Sequence, residues 1–155
     1  MAGLPKPEEQ SGFLLLVIPG AGVKLKAEGP AQTMQRMLIV DDERDICELL
    51  EEFFQSKGFS VVSAFSGEEA LDQLGINPPD VVLLDILLPG ISGIEVLRRI
   101  KELHPHTRVI MVTSLDRVEL KTEALRHGAA DFVTKPFDFS PTTWAAALTY
   151  RSPLS

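Results

Sequence analysis

Three aspartates, a threonine and a lysine stand at the ends of four short apolar runs. Met37-Leu38-Ile39-Val40 is followed by Asp41-Asp42, and Val81-Val82-Leu83-Leu84 by Asp85. Val109-Ile110-Met111-Val112 ends in Thr113-Ser114, and Phe132-Val133-Thr134 ends in Lys135-Pro136. Carboxylates grouped with an ammonium are the raw material for holding a cation, for charge pairing and for nucleophilic attack. Each residue also has a plainer reading. Asp41-Asp42 and Asp85 would cap helices, Lys135 would snorkel to solvent, and Thr113 would simply suit a strand.

Their shared position separates the two readings. Short, almost wholly apolar runs read as strands buried on both faces, as in parallel sheets. In an open parallel sheet, functional groups gather in the crevice beyond the carboxyl ends of the strands. All four runs then deliver their polar residues to one edge of one sheet, and folding alone does not explain such clustering.

The connecting elements follow from periodicity and punctuation. After Asp42, Ile46, Leu49, Leu50, Phe53 and Phe54 recur at helical spacing, with Lys57-Gly58 as the stop. Ser60 to Phe65 reads as a strand. Ser66, with Glu69 three residues on, predicts the N-cap of a short helix that stops near Gly75. Pro89-Gly90 makes a loop, and Ser92 opens a helix carrying Ile94, Leu97, Ile100 and Leu103, which His104-Pro105 ends. Asp116 is expected to cap a helix through Val118, Leu120, Ala124 and Leu125 to Gly128. Five strands with four intervening helices predict an α/β fold, a doubly wound parallel sheet covered on both faces. Ser140 and Pro141 fit the N-cap and first position of a fifth helix. Only about ten residues remain for it, and they are poor in charge.

Composition bounds the rest. The chain has 155 residues, 45% hydrophobic and 24% charged, the profile of an ordinary globular protein with one domain and its tails. A net charge of −7 argues against a basic nucleic-acid-binding surface on this chain. Cys47 is the single cysteine, which excludes an internal disulfide, and its helical setting reads as a core or boundary position. His104, His106 and His127 share no metal spacing and read as surface or capping residues. Residues 1–34 are rich in Gly, Pro, Ala and Lys and read as a flexible extension or cloning artefact. Within them Phe13 to Ile18 would form a short strand or a sticky patch. Six apolar residues fall short of the roughly 20 that span a bilayer. They also fall short of a signal core of about 7–15. A cytoplasmic protein without membrane contact is expected.

The segments LIVDDE, VVLLDILLPGISG, VIMVTS and GAADFVTKPFD together resemble the receiver domain of bacterial two-component response regulators. The resemblance covers Met37 to Asp138, about two-thirds of the chain, with every motif in order. It implies a flavodoxin-like receiver at residues 35–138 with strand order 2-1-3-4-5, between the extension of 1–34 and an atypical tail of 139–155. It also implies that Asp85 accepts a phosphoryl group from a sensor histidine kinase, a phosphotransfer protein or a small acyl phosphate. Mg²⁺ would be held by Asp41, Asp42, Asp85 and the backbone carbonyl of Leu87, with Asp41 acting mainly through water. Lys135 would pair with Asp85 and then with the phosphoryl group, its bond to Pro136 being cis as is typical of the family. Thr113 would donate its hydroxyl to the phosphoryl group, and Phe132 would be the aromatic of the switch pair.

On this reading the chain is a phosphoacceptor switch and not an enzyme, and it passes its signal to a downstream output domain or protein. Two other readings compete. A scaffold that no longer depends on phosphorylation is disfavoured by the intact set of site residues. A haloacid-dehalogenase-type phosphatase needs a second Asp two residues after the nucleophile, where this chain has Leu87. The short fifth helix adds an expectation of its own. Trp144, Ala147 and Leu148 would form an apolar stripe too small to close its face of the sheet, leading to marginal stability or self-association through that face.

Overall fold

The structure is a computed structural model that describes residues 13–18, 22–27 and 34–150. The chain divides into two compact units, residues 1–33 and 34–155. In the first, β1 (Phe13–Ile18) and β2 (Gly22–Ala27) form an antiparallel pair in register from Phe13↔Ala27 to Ile18↔Gly22. Of the two readings for Phe13 to Ile18, the strand is the one present.

The second unit carries β3 (Arg36–Val40), α1 (Arg44–Ser56), β4 (Ser60–Ala64), α2 (Gly67–Ile76), β5 (Val81–Leu84) and α3 (Gly93–Leu103). β6 (Arg108–Thr113), α4 (Val118–Arg126), β7 (Asp131–Thr134) and α5 (Ala145–Leu148) complete it. All five strands are parallel in the order β4-β3-β5-β6-β7. Counted from β3 this is the expected 2-1-3-4-5.

Strand periodicity explains why the central runs are apolar throughout. Leu38 and Val40 of β3, Val82 and Leu84 of β5, and Val109 and Met111 of β6 point to one face. There they meet Ala70 and Leu74 of α2, Val96, Leu97 and Ile100 of α3, and Ala124 of α4. The alternate residues Met37, Ile39, Val81, Leu83, Ile110 and Val112 point to the other face, onto Cys47, Leu50 and Phe54 of α1. With helices on both sides, no strand position in the middle of the sheet faces water.

Caps behave as the sequence predicts at two helices. The Ser66 hydroxyl accepts the Glu69 N–H, and the Ser92 hydroxyl accepts the Glu95 N–H. Gly58, at φ +94°, follows the end of α1, a left-handed turn that costs glycine little. At α4 the expectation fails. Arg117 occupies the N-cap without a side-chain bond, and Asp116 instead pairs with Lys121 at 2.6 Å. Of the apolar residues expected along α4, only Ala124 is buried, while Val118 and Leu125 face solvent.

The fifth helix is shorter than the ten or so residues expected, a single turn over Ala145–Leu148. Side chains compete with the backbone upstream of it. Ser140 Oγ accepts the Thr143 N–H at 3.2 Å, and the Thr143 hydroxyl donates to Asp138 Oδ1 at 2.7 Å. Within the expected stripe, Trp144 and Ala147 are buried and Leu148 is partly buried. Trp144 is 1% exposed, edge-on to the rings of Phe54 and Phe137 at 5.4 and 5.1 Å. Its indole N–H donates to the Asp138 carbonyl at 2.8 Å, so the polar end of the ring is satisfied as the apolar body is buried.

Candidate functional site at the carboxyl ends of the strands

Three strand ends converge on one ammonium group. Lys135 Nζ lies 2.6 Å from Asp41 Oδ2, 2.9 Å from Asp85 Oδ2 and 2.9 Å from Glu43 Oε1. The backbone fixes the convergence. The Asp41 N–H donates to Ala64 O, the Asp85 N–H to Val40 O, and the Lys135 N–H to Thr113 O, so the ladder continues one residue past each strand. The Lys135–Pro136 bond is cis.

Asp41 and Asp85 are buried, 2% and 4% exposed, and each has its second oxygen held by a backbone donor. Asp41 Oδ1 accepts the Glu43 N–H at 2.9 Å, and Asp85 Oδ1 accepts the Leu87 N–H at 3.1 Å. Asp42 is exposed, yet carboxylate oxygens of Asp41, Asp42 and Asp85 all lie within 4.8 Å of one another. A set of oxygen donors at this spacing fits a hard divalent cation such as Mg²⁺.

The charges perturb one another. Burial pushes the Asp41 carboxyl above its ordinary value, and neighbouring Asp85 adds to the rise. Lys135 and the Glu43 N–H only partly offset it, because one ammonium is shared among three carboxylates. For Lys135, burial works against the charged form, but hydrogen bonds to Asp41, Glu43 and Asp85 outweigh it and hold the amine above its usual value.

Thr113 is fully buried at the end of β6. Its hydroxyl oxygen accepts the Leu115 N–H at 3.4 Å, and its own proton has no acceptor among the described residues. Phe132 on β7 is half-buried against the α2–α3–α4 face, with Lys121 Nζ 5.4 Å from its ring centroid. Leu87 leaves the sheet just beyond Asp85 and is 54% exposed. Of the site residues named from sequence, Asp41, Asp42, Asp85 and Lys135 come together beyond the strand ends, Thr113 is the last residue of β6, and Phe132 lies within β7.

Two contributors were missed. Glu43 sits at the N-cap of α1 but makes no side-chain cap bond, its carboxylate going to Lys135 instead. The acidic run Asp41-Asp42-Glu43 was the available signal. Gly93 opens α3 so close to Asp85 that an added Cβ would lie 2.0 Å from the Asp85 carbonyl oxygen. Only a glycine lets this helix seat against the end of β5.

Comparison with known proteins agrees with this geometry. Residues 37–145 match the response regulator receiver domain family. The chain is 42% identical over 102 residues to YkoG of Bacillus subtilis, an uncharacterized transcriptional regulatory protein, covering 66% of this chain and 45% of that one. It is 40% identical over 103 residues to the transcriptional regulatory protein DltR of Streptococcus agalactiae, covering 66% and 46%. It therefore spans just under half the length of these relatives. A chain of the CheX–CheY–BeF3–Mg²⁺ complex of Borrelia burgdorferi is similar at 33% identity and a TM-score of 0.69, covering 74% of this chain and 87% of that one. Relatives named as transcriptional regulators count against the expectation of no direct nucleic-acid binding, which rested on the net charge of this chain alone. Among the described residues, no helix is long and apolar enough to cross a membrane. By its motifs, its sheet order and its family match, the chain belongs to the response regulator receiver domain family.

Proposed function

We propose that this chain is a cytoplasmic phosphoacceptor switch in which Asp85 receives a phosphoryl group from a sensor histidine kinase or phosphotransfer protein. The observation that carries the reading is the Lys135 ammonium bonded to both Asp41 and Asp85, with Asp42 within 4.8 Å. Asp41, Asp42, Asp85 and the Leu87 backbone carbonyl would hold Mg²⁺. When bound, Mg²⁺ supplies charge neutralisation between the acceptor carboxylate and the incoming phosphoryl oxygens.

The residues of the chain divide the remaining work. The Leu87 N–H and Lys135 each hold one oxygen of Asp85, which fixes the orientation of the carboxylate. One Asp85 oxygen forms a bond to phosphorus. The bond from phosphorus to the donor's histidine nitrogen or acyl oxygen breaks, and the leaving group keeps the electron pair. Lys135 then bonds a phosphoryl oxygen as a point charge. Thr113 carries a buried hydroxyl at the end of β6, the kind of donor that a newly arrived anion recruits. A phosphoryl group adds about 1.5–2 negative charges, by analogy with phosphorylated hydroxyls. Movement of Thr113 toward that charge vacates space for the half-buried Phe132 and favours one of two pre-existing forms. The output lies in a partner domain or protein, and the relatives' names point to control of transcription.

Amide NMR with beryllofluoride, a phosphoryl stand-in, tests the reading. Mg²⁺ alone is expected to shift amides around Asp41, Asp42 and Asp85, and changes reaching Thr113, Phe132 and Lys135 are expected when Mg²⁺ and beryllofluoride are both present. An unchanged spectrum would overturn it.

A further inference from the structure

We infer that Glu68 is a positioning residue that holds the loop between β5 and α3, and with it the Leu87 carbonyl, ready for the divalent cation. The inference rests on the reading of Asp41, Asp42, Asp85 and Leu87 as a Mg²⁺ site. Glu68 stands in the first turn of α2 and is not a member of the carboxylate cluster. Its Oε1 accepts the Ile91 N–H at 2.8 Å, across 23 residues of sequence. Its neighbour shows the ordinary use of such a residue. Glu69 folds back to accept the Phe65 N–H at 3.1 Å and caps its own helix. Glu68 turns away from the helix to the loop instead, and it makes no ion pair among the described residues.

Close approaches around the loop make the contact specific. Three of the described glycines would bring an added Cβ closer than 3.0 Å to a neighbour, and all three abut this loop. A Cβ on Gly67 would lie 2.5 Å from Ile91 Cγ1, and one on Gly90 would lie 2.4 Å from Glu68 Oε1. The third is Gly93, against the Asp85 carbonyl oxygen. Gly90 also takes φ +76°, a left-handed turn that glycine enters freely. At the base of the loop the Gly93 N–H donates to Ile86 O at 2.9 Å, and the Leu87 N–H donates to Asp85 Oδ1 at 3.1 Å. Glu68 supplies the hydrogen bond that fixes the far limb, at Ile91. Leu87 thus lies between two fixed points. A loop already in place spares the affinity that ordering it on binding would cost, and groups that never touch a metal orient its ligands in this way.

The test compares wild type, Glu68→Ala and Glu68→Gln. Calorimetry with Mg²⁺ alone gives the affinity, thermal melts in EDTA give the stability, and amide hydrogen exchange reports on Ile91. Glu68→Ala removes the acceptor, whereas Glu68→Gln removes the charge and keeps an oxygen that can accept the Ile91 N–H. Glu68→Ala should bind Mg²⁺ about two- to fivefold more weakly, a smaller loss than follows from removing a partner that bonds a ligand directly. Across the three proteins, loss of affinity should track loss of protection at Ile91, with Glu68→Gln closer to wild type in both. Equal weakening in both variants while Glu68→Gln still protects Ile91 would mean that the glutamate acts by charge at a distance, and would overturn the positioning role. Unchanged Mg²⁺ affinity in Glu68→Ala would overturn it too, and a lower melting temperature beside it would make the contact merely structural. If wild type itself binds no Mg²⁺, the cation-site reading falls and takes this inference with it.

Discussion

Replacing Asp42 by Asn should stabilise the protein without divalent ions and abolish its stabilisation by Mg²⁺. Asp42 is the unneutralised member of the cluster, since Lys135 bonds Asp41 and Asp85 but not Asp42. Its oxygen lies within 4.8 Å of an oxygen on each of two buried carboxylates. At that separation a pair of like charges repels by about 3.5 kcal/mol at an effective dielectric of 20, and by about 0.9 kcal/mol in bulk water. Asp42 is exposed, so the lower figure is the better guide, and two such pairs still oppose folding. Against them stands the attraction of Asp42 to the N-terminus of α1, worth about 0.3–1 kcal/mol. Repulsion wins, and Asp42→Asn should gain about 1 kcal/mol in EDTA, or roughly 3–6 °C in Tm for a domain of this size. Added Mg²⁺ reverses the comparison. At ten times its Kd a ligand stabilises by about 1.4 kcal/mol, which wild type should show and the variant should lack. Thermal melts of both proteins in EDTA and in Mg²⁺ provide the assay. A lower Tm for Asp42→Asn in EDTA, or an equal rise of both proteins with Mg²⁺, would refute the reasoning.

Trp144→Ala should cost about 3–5 kcal/mol in urea unfolding. It empties a site packed against Phe54 and Phe137 and frees the Asp138 carbonyl, so a loss under 1 kcal/mol would deny that the ring closes this face. Burial, and then the nearby Asp41 charge, push the Cys47 thiol up to about 11 from its ordinary 9.0. Iodoacetamide at pH 8 should therefore spare native Cys47, and alkylation at the rate of a free thiol would contradict its burial. Because the unfolded thiol ionises first, this group's contribution is intact below about pH 9 and declines toward pH 11, which urea melts across that window would register. Leu87→Asn should hasten loss of phosphate from the phosphorylated protein, since a half-exposed leucine beside Asp85 shields the bond and cannot orient water. An unchanged decay rate would dismiss that role.

The sheet was legible because its central strands are apolar on both faces and alternate with helix-spaced segments, the pattern a doubly covered parallel sheet requires. Ser66 and Ser92 were legible because a hydroxyl three residues before a glutamate N–H is a local device. The site followed from strand ends alone, and Asp41, Asp85 and Lys135 meet because the ladder carries each of them one residue past its strand. Glu43 was missed because its sequence position is that of a cap, whereas its partner lies 92 residues away. Asp116 was misread for the complementary reason, as its pairing with Lys121 outcompetes the cap. The fifth helix was overextended because hydroxyl groups of Ser140 and Thr143 look helix-compatible in sequence but bind locally. Val118 and Leu125 repeat at helical spacing and still face water, which periodicity alone cannot reveal.

The central claim is that Asp85 is the acceptor and depends on its neighbours. Intact mass after incubation with acetyl phosphate tests it most directly. Wild type should gain one phosphoryl group with Mg²⁺ and none in EDTA, and Asp85→Asn should gain none in either. Undiminished labelling of Asp85→Asn, or labelling of wild type that ignores Mg²⁺, would contradict the account.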